Sequence, residues 1–222
     1  MFRVYGWSSP TLSLGRNQRA RGLYNLTAAR EMDVGIVRRP TGGRALLHHR
    51  EITYSATLPA RDPAAARAAY DFVNRILVEG LRELGARVEL AAHTVALPPG
   101  ARPCFDVPAE REIVLHGRKL VGSAQWRHGG IVLQHGSILV RDDQALISRL
   151  MVTPPDADPI AATLADALGR EPSLDEAAEA LRQAVRATTG KVPAEFEPDD
   201  VLLAEVSRLS STYRDDSWTW RR

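Results

Sequence analysis

Apolar residues recur along the chain at two different periods, and the elements follow from where each period holds. The longest helical signal is "DPAAARAAYDFVNRILVEGLRELG", in which Ala69, Phe72, Val73, Ile76, Leu77, Gly80, Leu81 and Leu84 fall three or four residues apart, the spacing of a helix with one buried stripe. Asp62 ahead of Pro63 supplies a cap and a first helical residue, and Gly85 supplies a stop. Before it, "EITYSATLP" alternates apolar and polar positions, which predicts a strand returning as partner to "GIVRR". "FRVYGW" and "TLSLG" read as a short hairpin, and "LTAAREMD" as one or two helical turns.

After the long helix, "ARVEL" resumes β structure and "HTVALPPGARPC" is a loop stiffened by three prolines. "EIVLHG", "KLVGSAQ" and "GIVLQHGSILV" predict three strands joined by "GR" and "RHGG" turns. From Pro154 the pattern turns helical in "PIAATLADALG", "SLDEAAEALRQAVRATTG" and "PDDVLLAEVSRLSSTY", with Ser173 and Asp199 as N-caps. The closing "SWTWRR" is expected to pack its tryptophans on the body. The fold class is α/β of the α+β kind, a mixed, mostly antiparallel sheet flanked by helices. The expectation is one domain over residues 1–222, sheet-rich over 1–153 and helical over 154–222.

Composition narrows the classes. With 222 residues, 44% of them hydrophobic, the chain can bury a core. A formal charge of +2 implies no polyanion field, so nucleic acid is not indicated, while a pI near 8.9 suits an acidic protein partner. No apolar run is long enough to span a bilayer, and Met1 leads straight into a strand-like segment; the expectation is a cytoplasmic protein without membrane attachment. The single cysteine, Cys104, excludes an internal disulfide and fits a reducing compartment.

Four features carry candidate chemistry. In "RRPTGGRALLHHREITYS" a glycine pair follows Pro40-Thr41, letting the backbone turn and a ligand approach its amides; a plain hairpin turn with solvated arginines is the alternative. Cys104, in "PCFDVP", is a buried small hydrophobe or, beside a cation, a nucleophile. Lys119, in "HGRKLVGSAQ", can be brought back toward that loop by a hairpin, or can be a solvated strand lysine. The small Gly122, Ser123 and Ala124 after it suit a wall for a slender chain, or tight sheet packing. His48, His49, His93, His116, His128 and His135 form no metal-binding pair, so no metal is expected; His48, closing the glycine loop, is either structural or part of a site.

Three of these segments, "RRPTGGRALLHHREITYS", "CFDVPAEREIVLHGRKLVGSAQ" and "GIVLQHGSILV", together and in this order resemble the lipoate-protein ligase and octanoyltransferase superfamily, whose catalytic fold is shared with biotin protein ligase. The likeness runs from Phe2 into the "YRDDSW" tail. The Cys-Phe-Asp segment followed by a Gly-Arg-Lys strand is similar to the ligase-like octanoyltransferases rather than the ATP-using ligases. Two positions depart from the pattern: relatives usually begin with a helix ahead of the first strand, where Met1 stands here, and often carry an acidic residue in place of His49.

The resemblance implies that Cys104 forms an acyl-thioester and that Lys119 lowers its pKa. It implies an acyl pocket walled by Arg39, Thr41, Gly42, Gly43, Arg44, Ala45 and His48, with Gly122, Ser123 and Ala124 along the acyl chain. The implied reaction moves an octanoyl group from octanoyl-acyl carrier protein to a lysine of a lipoyl domain or a glycine-cleavage H protein, without cofactor. An ATP- and magnesium-dependent lipoate-protein ligase, an amidotransferase between lipoyl proteins, and a non-catalytic binder of acylated proteins are the alternatives.

Overall fold

The computed structural model describes residues 1–91, 111–156 and 160–222. Cys104 and His93 lie outside them. The strands, all before Val140, build three small sheets. β1 (Phe2–Tyr5), β5 (Glu51–Pro59), β10 (Ile131–Leu139) and β9 (Val121–His128) form an antiparallel four-stranded sheet in the order β1-β5-β10-β9. β2 (Thr11–Leu14) lies between β3 (Gly35–Arg38), to which it is parallel, and the antiparallel β4 (Leu46–His48). β6 (Glu89–Leu90), β7 (Ile113–Leu115) and β8 (Arg118–Lys119) form the third.

The expected β1–β2 hairpin does not form: β1 pairs with β5, some fifty residues on, and β2 joins a different sheet. Likewise β5 does not return against β3; the short β4 takes the place beside β2, and β5 crosses to the four-stranded sheet. Local alternation identifies a strand but not its partner.

The long helix, α2 (Pro63–Glu83), begins and ends as its sequence requires. The Asp62 side chain accepts from the Ala65 amide, and Gly85 takes φ +98° after the last turn. Its buried face, Val73, Leu77 and Leu81, meets Ile52, Tyr54 and Ile138 of the four-stranded sheet in the main core. α5 (Leu174–Thr189), started by a Ser173–Glu176 capping box, crosses α2 closely at Gly80, where a Cβ would stand 2.7 Å from Leu181 Cδ2.

A second core joins Leu12, Leu14 and Leu47 of the three-stranded sheet to α1 (Leu26–Glu31) and to α3 (Ala145–Leu150), a six-residue helix without a distinct sequence signal. Of the described part of "PIAATLADALG" only α4 (Leu164–Leu168) is helical: Thr163 caps it, and the buried Ala161 and Ala162 precede it outside any helix, with the Ala162 amide bonded to the Lys119 carbonyl. α6 (Asp200–Arg214) and α7 (Asp216–Thr219) complete the chain. The tail packs as expected: Trp218 donates to the Arg38 carbonyl, Trp220 joins the second core, and the buried Arg38 guanidinium donates to the Thr219 carbonyl at 2.7 Å.

Candidate active site

The two faces of the four-stranded sheet carry different chemistry. Pairing puts Tyr54, Gln134, Gly136, Ser123 and Gln125 toward α2, and Glu51, Thr53, His135, Ser137, Gly122 and Ala124 on the opposite face. Ser123 is thereby separated from Gly122 and Ala124: its hydroxyl bonds the Tyr54 hydroxyl at 2.6 Å within the α2-side packing. Gly136 lets these strands close, since a Cβ there would lie 2.3 Å from the Gly122 carbonyl oxygen and 2.7 Å from the Tyr54 ring.

The glycine loop lies over the opposite face. Thr41, fully buried, bonds His135 Nε2 through its hydroxyl at 2.6 Å. Burial first, then the nearby Arg39 and His48, push the His135 imidazole down to about 4, so the ring is neutral at neutral pH. The Arg39 guanidinium turns onto the backbone, donating to the carbonyls of Ser13, Gly42 and Arg44 at 2.7 to 3.1 Å. Gly43 occupies φ +95°, and the loop packs so tightly on Gly15 that a Cβ there would fall 1.9 Å from the Gly43 oxygen. Gly42 has open space at its Cβ position, and Ala45 is sunk in the second core.

At the end of the loop His48 stacks on Trp7, ring centroids 4.1 Å apart, and its Nδ1 meets the buried Glu51 carboxylate at 2.7 Å. The same Glu51 oxygen accepts from Ser137 and Thr53. These contacts make His48 a fixed, buried group beside His135, and exposed His49 pairs with Asp143 instead.

Lys119 is no solvated lysine. It lies on β8 opposite Val114, only 4% exposed, with its Nζ 2.7 Å from the buried Glu112 carboxylate. The β7–β8 turn that places it has His116 and Gly117 both at positive φ, 49° and 73°, the conformation of a tight two-residue hairpin. Sequence reasoning singled out Lys119 and passed over its partner Glu112, although the signal was present: Glu112 is two residues before Val114, on the same side of the hairpin.

Residues 1–186 match the lipoyl protein ligase A/B catalytic domain. The chain belongs to this family. Among similar proteins, the octanoyltransferase LipM of Moorella thermoacetica is 39% identical, and that of Kyrpidia tusciae 36%, each over 99% of this chain and 86% of its own length. The Bacillus subtilis octanoyltransferase LipM is 31% identical over the whole of this chain and 87% of its own. Among solved structures, lipoate-protein ligase A bound with ATP superposes with a TM-score of 0.80 at 21% identity, covering 99% of this chain and 85% of that one. The fold of the family is therefore the fold of this chain, and the glycine loop, the His135 face and the Lys119–Glu112 pair are features of a member of it.

Proposed function

We propose that the chain is an octanoyltransferase of protein lipoylation that works through a thioester on Cys104. Its likeness to the LipM octanoyltransferases, at 31 to 39% identity over essentially the whole chain, is the observation that carries this reading. The donor is octanoyl-acyl carrier protein and the acceptor a lysine of a lipoyl domain or glycine-cleavage H protein.

In the first half-reaction the Cys104 thiolate attacks the octanoyl thioester carbonyl and the phosphopantetheine thiolate leaves, taking a proton from the Lys119 ammonium. In the second, the neutral acceptor amine attacks the octanoyl-Cys104 carbonyl, the Cys104 thiolate leaves, and Lys119 regains a proton from the attacking nitrogen. A buried lysine in contact with a carboxylate suits both steps, its ammonium stabilising the Cys104 thiolate and giving up a proton in the first and its amine taking one back in the second. Gly122 and Ala124, opposite Ser137 and His135, give a sheet face on which an eight-carbon chain meets little bulk. Arg39, Thr41, Gly42, Gly43, Arg44, Ala45 and His48 form or brace the wall over it, and Ser123 supports the face from behind.

The test is transfer from octanoyl-acyl carrier protein to a purified lipoyl domain in the absence of ATP and magnesium. Octanoylated domain is the expected product. Product only from free octanoate with ATP and magnesium would make the chain a ligase, and product only from an octanoylated lipoyl protein would make it an amidotransferase.

A further inference from the structure

Lysine occurs only twice in the sequence, at Lys119 and Lys191, against 27 arginines. At position 119 a chain that otherwise relies on arginine carries the one cation whose protonation responds strongly to burial and neighbours. Buried alone, an ammonium tends to lose its proton; a carboxylate in contact opposes this.

The carboxylate that does so is positioned by a deliberate turn. Arg111, immediately before Glu112, sits at φ +67°, a conformation rare for a residue with a side chain. It is fixed from three directions: its amide donates to the Ala91 carbonyl at 2.9 Å, its carbonyl accepts from Asn74 Nδ2 at 3.0 Å, and its guanidinium grips both Asp71 oxygens at 2.7 and 2.8 Å. Asn74 is itself held by Gln134 from the four-stranded sheet. Strain of this kind persists only where surrounding contacts impose it, and here α2, Ala91 just after β6, and β10 through Gln134 all contribute to the direction in which Glu112 leaves the turn.

We propose that Glu112 is a positioning residue for the acyl transfer, its buried carboxylate favouring and aiming the Lys119 ammonium that faces the Cys104 thiolate before each turnover. The catalytic part rests on the proposed Cys104 chemistry; the charge state of Lys119 does not. Titratable groups that face this pair include the Tyr70 phenol of α2, pushed up by burial and by Glu112 and down by Lys119, and the Tyr54 phenol of β5, pushed up by burial and, more weakly, by Glu112, with the Asp71 carboxylate of α2 paired to Arg111 beside them. Removing the Glu112 charge therefore lowers the pH at which Lys119 loses its proton, and moves the alkaline limb of activity the same way.

With only two lysines, selectively labelled protein gives two side-chain carbon signals, and their pH titration reads Lys119 directly with Lys191 as internal reference. In Glu112→Gln the Lys119 midpoint is expected to fall by at least about one unit while Lys191 stays in place. For octanoyl transfer, kcat is expected to fall by about tenfold or more with KM within about twofold, and Glu112→Asp to recover part of the rate. An unmoved Lys119 midpoint, or a moved midpoint with unchanged kcat and alkaline limb, overturns the proposal. If Glu112→Gln does not fold, Glu112→Asp serves alone: a Lys119 midpoint and rate equal to the parent's would then overturn it. A parent chain that forms no octanoyl adduct at all refutes the thioester reading and the positioning role in it, and the titration distinguishes that outcome from a failed Glu112–Lys119 coupling.

Discussion

The two faces of the β5-β10-β9 sheet use the same strands for opposite purposes. Toward α2 the polar groups satisfy one another: Gln134 donates to the Tyr54 hydroxyl at 3.1 Å and to Asn74 at 3.3 Å, and Gln125 donates to Gln134 at 3.0 Å. Such a network fixes one packing, because each member left unpaired in a dry interior is costly. On the other face the residues are small or held ready, with Gly122 and Ala124 presenting almost no bulk and His135 kept neutral under the glycine loop. One Glu51 carboxylate oxygen takes three donors while the other, buried, has no partner among the described residues. Closure on one side and spare capacity on the other is the arrangement that a proposed acyl-binding face would need.

Breaking the sheet itself should have the largest effect. Gly136→Val puts side-chain atoms into the Gly122 carbonyl and the Tyr54 ring and should cost about 3 kcal/mol or more, seen as loss of soluble protein or of cooperative unfolding. Tyr54→Phe removes a hydroxyl bonded to Ser123 and Gln134 and should lower stability by about 1 to 2 kcal/mol in denaturant titration. Ala124→Leu sharpens the contrast from the other side. Octanoyl transfer should fall about tenfold, the equivalent of about 1.4 kcal/mol of barrier, while the unfolding midpoint barely moves. A stability loss as large as that of Tyr54→Phe would mean that this face is packed like the first.

The last effect is a slope with pH rather than a fixed loss. Because the His135 imidazole is pushed from its ordinary 6.5 to about 4, the unfolded chain binds its proton first as pH falls. His135 therefore withdraws stability between about pH 6.5 and pH 4, by about 2 kcal/mol once its partial exposure is allowed for. His135→Gln, which keeps a polar partner for Thr41 without a titrating ring, should flatten unfolding free energy across that window. An unchanged slope would mean that His135 is not held neutral.

Much of this was legible in the residues. The α2 stripe with Asp62 and Gly85, the Ser173 N-cap and the turn within "RHGG" are local, and local chemistry decided them, whereas the turn expected at "GR" sits one residue earlier, at His116-Gly117, with Arg118 already on β8. The partner of β1 was not legible, because Phe2–Tyr5 meets Thr53–Ala56 only after the second sheet has been laid down between them. The site divides the same way. Thr41, His48 and Lys119 stood out as residue types in suggestive places, but their partners His135, Glu51 and Glu112 are set by register and by a strained turn at Arg111. Ser123 shows the converse: one residue in a run of small ones, it reads as part of a pocket wall until period-2 alternation turns it toward Tyr54.

The most direct measurement is the intact mass of the purified chain after incubation with octanoyl-acyl carrier protein without ATP, beside a Cys104→Ser variant. The expected result is a single octanoyl adduct on the parent, released by hydroxylamine and missing from the variant. No adduct on the parent, or an equal adduct on Cys104→Ser, would contradict the thioester mechanism.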